Sequence, residues 1–297
     1  MVDIFNTKNT CDGNQCSDNP WTKYKTRPIE YVGFSSGSLG GLSLIGCWRA
    51  LEEKGLALGI RGFSGSSIGA IMSLLMSVGY SSEELTHLCK YLKYKSLADI
   101  QLLGLLDNMG LETGNKIVEL LSGLLSRKVG KPDLTFREHW NITGRYLCIT
   151  ASCVETGQCE YFSINNEPDM SVLHAVRMSI AIPWLITAVT WRGKTYVDGA
   201  LYDPCPVLQF PQDKTIAFEI VNDTCISSGL YGFAKHTTSI LFGIYKRLYR
   251  HHYNEIGASC RVIQIVTGAS SMSFIMNRKQ RMSTIQSGYE ECRKALS

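Results

Sequence analysis

The chain has 297 residues, a hydrophobic fraction of 44%, a charged fraction of 19% and a formal net charge of +4. This length allows one large domain, or at most two, with a sizeable buried core. The small net charge gives no argument for a nucleic-acid-binding protein. No apolar run reaches the ~18 residues that a membrane-spanning helix needs.

The first 28 residues are rich in Asn, Asp, Thr and Lys, and we predict that they form a poorly ordered tail. The eleven cysteines are an odd number and lack the spacing of a zinc site. No charged-then-apolar signal segment opens the chain. We therefore expect an intracellular, cytoplasmic protein with reduced and buried thiols, and with no metal or cofactor.

The next elements alternate between strand and helix. A short apolar run predicts a strand over residues 29–34, and a loop of Ser and Gly follows over 35–41. Helical spacing of apolar residues predicts a helix over 42–54, in which Gly46 indicates close packing against the sheet. A second apolar run predicts a strand over 56–63. This order is typical of a parallel α/β sheet.

A Gly-x-Ser-x-Gly motif, Gly65-Ser66-Ser67-Ile68-Gly69, lies between that strand and a helix predicted over 70–78. At a strand-to-helix turn this motif is typical of a nucleophile elbow. The glycines allow a tight reversal, and the helix N-terminus favours negative charge at the serine. The second match, around Ser35, is not directly followed by a helix, so the predicted nucleophile is Ser67.

The rest of the chain continues the α/β pattern. Helices are predicted over 81–93, 112–125, 171–180, 237–252 and the last stretch, and strands over 145–152, 160–164, 186–191, 194–197, 215–221 and 261–266. The strands over 186–191 and 194–197 are predicted to form a hairpin, and Asp198-Gly199-Ala200 follows the second of them.

A serine nucleophile also needs a base and an oxyanion site. The loop over 36–41 lies at a strand end before a helix, where its N–H groups could meet a carbonyl oxygen or simply form a tight turn. Asp198 is the candidate base, although Asp-Gly is also a common turn sequence. The residues alone leave both questions open.

Taken together, these motifs resemble the patatin-like phospholipase family over about residues 29–207. Its glycine-rich loop looks like Ser36-Gly37-Ser38-Leu39-Gly40-Gly41, and its Asp-Gly-Gly/Ala motif looks like Asp198-Gly199-Ala200. Its nucleophile motif corresponds to residues 65–69, and the segments 162–163, 175–176 and 179–183 are also similar. Several ordered matches at such spacing are more specific than any one motif.

The resemblance implies a three-layer α/β/α fold around a mostly parallel sheet. It implies a catalytic domain over 29–210 and a C-terminal extension over 211–297 that completes the same fold. The implied activity is a phospholipase A-type acyl hydrolase with a Ser67–Asp198 dyad and an acyl-enzyme. The other implied site residues are the oxyanion donors Gly37, Ser38 and Leu39, the elbow glycines Gly65 and Gly69, and the supporting glycines Gly40, Gly41 and Gly199.

The glycine-rich loop departs from the family pattern, Gly-Gly-Gly-x-Arg/Lys-Gly. Ser36 and Ser38 replace the first and third glycines, and Gly40 replaces the basic residue. Serine reaches a positive φ less readily than glycine. A catalytically weak lipid-binding module is therefore one alternative, and an α/β-hydrolase triad with His236, His251 or His252 is another.

Lipid is the expected partner, both as substrate and as a surface that the protein meets from the water side. A leucine-rich stretch lies over 97–106, and the helix predicted over 237–252 has one apolar and one basic face. Such a helix can lie on an anionic membrane or pack on the sheet with its charges in water.

Overall fold

The computed structural model describes residues 28–92, 110–223, 260–270 and 276–297, with a few single positions between 236 and 243. The tail before residue 28, the leucine-rich stretch and most of the basic helix predicted over 237–252 lie outside these ranges. Within them, no helix combines the length and the apolar character needed to cross a membrane.

The described chain alternates strands and helices. The strands are β1 (Tyr31–Phe34), β2 (Gly62–Gly65), β3 (Gly110–Glu112), β4 (Tyr146–Cys153), β5 (Gln158–Ser163), β6 (Trp184–Ile186), β7 (Val189–Trp191), β8 (Lys194–Asp198), β9 (Thr215–Asp223) and β10 (Arg261–Ser270). The helices are α1 (Ser43–Glu53), α2 (Ile68–Ser77), α3 (Ser82–Tyr91), α4 (Asn115–Val129), α5 (Phe136–Thr143), α6 (Val172–Ser179) and α7 (Arg278–Ala295).

The central sheet has the order β10-β9-β1-β2-β4-β8-β7, and β5 also pairs with β4. Every pair from β10 to β4 is parallel, whereas β4–β5, β4–β8 and β7–β8 are antiparallel. The short strands β3 and β6 form a separate parallel pair. The prediction of an α/β fold around a mostly parallel sheet is confirmed.

Both faces of the sheet are covered, as β1 illustrates. Val32 and Phe34 are fully buried in the main hydrophobic core. Gly33 faces the other side, where a Cβ would lie 2.3 Å from Cγ1 of Val207. Strands buried on both faces are typical of parallel sheets, and this burial explains the continuous apolar run that predicted β1.

Helix starts follow local capping chemistry. Ser81 accepts a hydrogen bond from the N–H of Glu84, and Glu84 accepts one from the N–H of Ser81. This capping box confirms the predicted start of α3. Helix α5 was not predicted, although Thr135 and Glu138 form the same device at its start and could have indicated it.

Several sequence predictions were wrong in detail. The strand predicted over 56–63 begins only at Gly62, because the paired β1 offers partners from Tyr31 onward, and Ala57–Gly59 instead forms a 3-10 helix. The strand predicted over 186–191 is divided, because Trp184–Ile186 pairs with β3 while Val189–Trp191 pairs with β8.

Gly46 was expected to pack against the sheet, but it lies against α7. A Cβ at Gly46 would come 2.0 Å from the carbonyl oxygen of Ile285, and one at Gly288 would come 2.0 Å from that of Ser43. The two glycines let α1 and α7 approach each other closely. The last helix of the chain is thereby fixed against the first, while β9 pairs with β1 in the central sheet.

Candidate active site

The predicted nucleophile lies at the sharp turn between β2 and α2. Ser67 is the residue before the helix and has φ 56 and ψ −123, a conformation that a residue with a side chain rarely adopts. A Cβ at Gly65 would lie 2.1 Å from the carbonyl oxygen of Gly69, and one at Gly69 would lie 2.2 Å from that of Phe34. Only glycine fits at these two positions, so the motif builds the elbow that it predicted.

The predicted base, Asp198, is the last residue of β8. Its Oδ2 atom lies 2.6 Å from Oγ of Ser67, which donates a hydrogen bond to it. The other oxygen, Oδ1, accepts a hydrogen bond of 2.8 Å from the N–H of Ala200. A Cβ at Gly199 would lie 2.5 Å from the carbonyl oxygen of Thr150, which explains the glycine of the Asp-Gly motif.

The electrostatic setting of Asp198 suits proton acceptance near neutral pH. The side chain is fully buried, and burial raises its pKa to about 7 despite the opposing hydrogen bonds from Ser67 and the N–H of Ala200. Burial disfavours the charged carboxylate, so the group holds its proton more tightly than an exposed aspartate does. A general base works best when its pKa lies near the working pH.

The end of α6 and the residues just after it contact the backbone of both Ser67 and Asp198. The N–H of Ser67 donates a hydrogen bond of 2.9 Å to Oγ of Ser179, and the N–H of Asp198 donates one of 2.9 Å to the carbonyl oxygen of Ala181. The N–H of Ser67 is therefore already engaged. Sequence reasoning did not assign Ser179 a role, although residues 179–183 were among the segments similar to the family.

The glycine-rich loop lies beside the elbow. A Cβ at Gly41 would lie 2.5 Å from Cγ1 of Ile68, the residue that follows the nucleophile. Ser38 begins a 3-10 helix, Ser38–Leu42, and has φ 51, the left-handed region that favours glycine. The family's third glycine thus corresponds to the loop position at which a positive φ is needed.

The other loop residues have structural contacts. A Cβ at Gly37 would lie 2.7 Å from Cδ1 of Ile220, so β9 leaves little room there for a side chain. Leu39 is half-buried against the main core. The carbonyl oxygen of Gly40, also in the 3-10 helix, accepts a hydrogen bond of 2.8 Å from the hydroxyl of Ser43.

Ser35, the serine of the second Gly-x-Ser-x-Gly match, links two strands. Its side chain is 2% exposed, and its hydroxyl donates a hydrogen bond of 2.9 Å to the carbonyl oxygen of Ser36. The hydroxyl oxygen of Ser35 also accepts a hydrogen bond of 2.8 Å from the N–H of Ile220 on β9. These contacts give Ser35 a structural role at the end of β1.

Of the three histidines of the alternative triad, the structure describes only His236. His236 is exposed, and His251 and His252 lie outside the described residues. The carboxylate of Asp198 contacts Ser67 directly, with no imidazole between them. Among the residues that the structure describes, no group of three His, Cys, Asp or Glu side chains could hold a metal ion.

Comparison with known proteins identifies the family of this chain. A family model for patatin-like phospholipases matches residues 34–211, which is more than half of the chain. The chain belongs to the patatin-like phospholipase family. The match includes the glycine-rich loop, the motif around Ser67 and the Asp-Gly motif. It also includes the motif around Ser35, apart from its first residue, Gly33.

Two relatives are similar in sequence over much of their length. The chain is 28% identical over 196 residues to a probable lipid hydrolase, 463L, of Invertebrate iridescent virus 6, covering 64% of this chain and 66% of the relative. It is 27% identical over 203 residues to the uncharacterized protein YqhO of Bacillus subtilis, covering 61% of this chain and 66% of that one.

Two solved structures share the fold. VipD of Legionella pneumophila has a TM-score of 0.63 at 15% identity, covering 91% of this chain and 67% of that chain. ExoU of Pseudomonas aeruginosa, solved in a heterodimeric complex with SpcU, has a TM-score of 0.51 at 16% identity, covering 91% of this chain and 51% of that chain. At these identities the likeness shows a common architecture.

Proposed function

We propose that this chain is a lipid acyl hydrolase of the phospholipase A type that cleaves fatty acyl esters through a Ser67–Asp198 dyad. The observation that carries the proposal is the 2.6 Å hydrogen bond from Oγ of Ser67 to a fully buried carboxylate. Family membership supports a lipid ester as the substrate, and the iridescent-virus relative is itself named a probable lipid hydrolase.

In the acylation step, Asp198 accepts the hydroxyl proton of Ser67 while Oγ forms a bond to the ester carbonyl carbon. The C=O bond becomes a single bond to an oxyanion, and negative charge develops close to the positive end of α2. When the C=O bond re-forms, the bond to the alkoxy group breaks and that group takes the proton from Asp198. The products are an alcohol, such as a lysolipid, and an acyl-enzyme on Ser67.

In the deacylation step, water replaces the departed alcohol. Asp198 accepts a proton from this water, and the water oxygen attacks the acyl carbon. Breakdown of the second tetrahedral intermediate breaks the bond to Oγ, which recovers the proton from Asp198. The products are a fatty acid and free Ser67, so the dyad needs no further reactant.

We assign the oxyanion donors to the backbone of Gly37, Ser38 and Leu39. Two observations support this assignment. The N–H of Ser67 is directed to Ser179 and is not available to a substrate oxygen. The loop also lies beside the elbow, since a Cβ at Gly41 would come 2.5 Å from Cγ1 of Ile68, and backbone N–H groups are the usual donors to an oxyanion.

The test is fatty acid release from a panel of phospholipid and neutral-lipid vesicles. We expect Ser67→Ala to abolish release and Asp198→Asn to slow it by ~10²–10⁴. Asp169→Asn, which changes an exposed carboxylate paired with Arg137, should leave release intact. Normal release by folded Ser67→Ala would contradict the proposal. Any preference for a head group or acyl position would appear in the same panel.

Two alternatives give different results. In the triad reading, His236→Gln, His251→Gln or His252→Gln would be as inactive as Ser67→Ala, whereas the dyad predicts a change of less than about tenfold, or ~1.4 kcal/mol. The positive φ of Ser38 favours the second alternative, a lipid-binding module with weak turnover. In that case the wild type would bind vesicles but release fatty acid only very slowly.

We further propose that the protein works at a lipid surface that it meets from the water side. Family membership supports the lipid partner. The cytoplasmic location remains a prediction from the sequence. Flotation with anionic and with neutral vesicles measures this association directly, and the absence of binding to either would contradict it.

A further inference from the structure

The backbone of Ser67 must be held in place by other residues, because its φ of 56 and ψ of −123 are unfavourable for serine. The side chain is 6% exposed, so water does not stabilise the turn. The N–H of Ser67 finds its acceptor on α6, where Oγ of Ser179 lies 2.9 Å away. Ser179 is 0% exposed and is the last residue of that helix.

The same short segment also fixes the base. Two residues after Ser179, the carbonyl oxygen of Ala181 accepts a hydrogen bond of 2.9 Å from the N–H of Asp198. One segment, residues 179–181, thus binds the backbone of both members of the dyad. The distance between their side chains depends on where this segment lies.

We propose that Ser179 is a positioning residue, whose hydroxyl holds the elbow so that Oγ of Ser67 meets Asp198. The inference rests on the proposed hydrolase function. Ser179 does not touch the substrate in this account and acts only through the backbone of Ser67. The other contact of this segment is made by the main-chain carbonyl group of Ala181, which a substitution does not remove. Substitution can therefore test only the contact made by Ser179.

Alanine at position 179 would nearly fill the same space but could not accept a hydrogen bond. The N–H of Ser67 would then be buried without a partner, which is costly, and the turn could relax away from its unfavourable conformation. Oγ of Ser67 would move away from the carboxylate of Asp198. We expect the reactivity of each folded molecule to fall by about 10- to 100-fold, the effect of one lost buried partner.

The experiment measures inactivation by a fluorophosphonate probe, which separates the number of reactive sites from the rate constant of each site. It compares the wild type, Ser179→Ala, Ser179→Cys and Ser67→Ala. Ser77→Ala is the matched control, because Ser77 is equally buried, lies at the other end of α2 and donates a hydrogen bond of 2.9 Å to the carbonyl oxygen of Leu74.

We expect the rate constant for each site to follow the strength of the acceptor. It should be highest for serine, intermediate for the weakly accepting cysteine and lowest for alanine. In ester hydrolysis, kcat should fall in the same order while KM changes by less than about threefold. Any loss of stability in Ser77→Ala should lower only the number of reactive sites, and each remaining site should keep the wild-type rate constant.

A residue with a merely structural role would give a different result. Ser179→Ala and Ser179→Cys would then show fewer sites, each reacting at the wild-type rate, and this would overturn the inference while leaving the dyad intact. If Ser179→Ala does not fold, Ser179→Cys still tests the order. If the wild type itself does not react at Ser67, both the inference and the proposed function fail.

Discussion

Replacing Asp198 by asparagine is expected to inactivate the protein and, at the same time, to stabilise it above neutral pH. Burial raises the pKa of this carboxyl to about 7 in the folded protein, whereas an aspartate in the unfolded chain has a pKa near ~4. Between these two values the folded state binds more protons than the unfolded state. The free energy of unfolding therefore falls as pH rises from about 4 to about 7.

The size of the effect follows from the difference between the two pKa values. Each pH unit between the two pKa values lowers the free energy of unfolding by about 1.4 kcal/mol. The total decrease is about 4 kcal/mol, of which ~3 kcal/mol occurs between pH 5 and pH 8. Asparagine is neutral at every pH and has nearly the same shape. Its side-chain oxygen can still accept the hydrogen bond from the N–H of Ala200 that Oδ1 accepts now.

Urea unfolding of the wild type and Asp198→Asn at pH 5 and pH 8 measures this difference. We expect the stability advantage of the variant to grow by about 3 kcal/mol between the two pH values. At pH 8, where the wild-type carboxylate is free to accept a proton, the hydrolytic rate of the variant should be lower by ~10²–10⁴. For the control Asp169→Asn, at an exposed ion pair, the difference in stability from the wild type should not grow between pH 5 and pH 8. If the difference in free energy of unfolding between Asp198→Asn and the wild type does not grow with pH, the assignment of a raised pKa to Asp198 is refuted.

Three further predictions concern the site. Ser38→Gly should leave kcat/KM equal or higher and raise the Tm slightly, because glycine adopts the φ of 51 without the left-handed penalty of about 1 kcal/mol; a large fall would show that the hydroxyl takes part. The pH profile of kcat/KM should decline on the acid side with a midpoint near the Asp198 pKa of about 7, and a flat profile from pH 5 to 8 would contradict the dyad. Ester hydrolysis should survive EDTA, because the dyad supplies both nucleophile and base; loss that calcium restores would contradict it.

The elbow could be predicted from the sequence because its determinants are local. Gly65, Ser67 and Gly69 lie within five residues, and the close backbone contacts at the two glycines are what the motif requires. Similarly, the buried, apolar β1 and the capping box of α3 can be recognised within short windows. These elements account for the fold class and for the nucleophile.

The base could not be fixed in the same way. Asp198 is 131 residues from Ser67, and its motif alone is also a common turn sequence. The two meet because β8 pairs with β4 in a register that places Asp198 opposite Ala151, which is a tertiary fact. The family resemblance, and not the local pattern, pointed to this residue.

The start of β2 and the role of Ser179 share this limitation. Residues before Gly62 are apolar enough for a strand but have no paired partner in β1. Ser179 is the last residue of an ordinary helix, and its hydroxyl reaches the N–H of Ser67 only because that helix packs against the elbow. Register and helix packing are set by the whole core, so no short window of sequence contains them.

The most direct test of the central claim is to map the site of fluorophosphonate labelling by mass spectrometry on the intact chain. We predict a single modified serine, Ser67, with no labelling in Ser67→Ala and much slower labelling in Asp198→Asn. Modification at Ser35, or no modification of a protein that is folded by circular dichroism, would contradict the Ser67–Asp198 dyad.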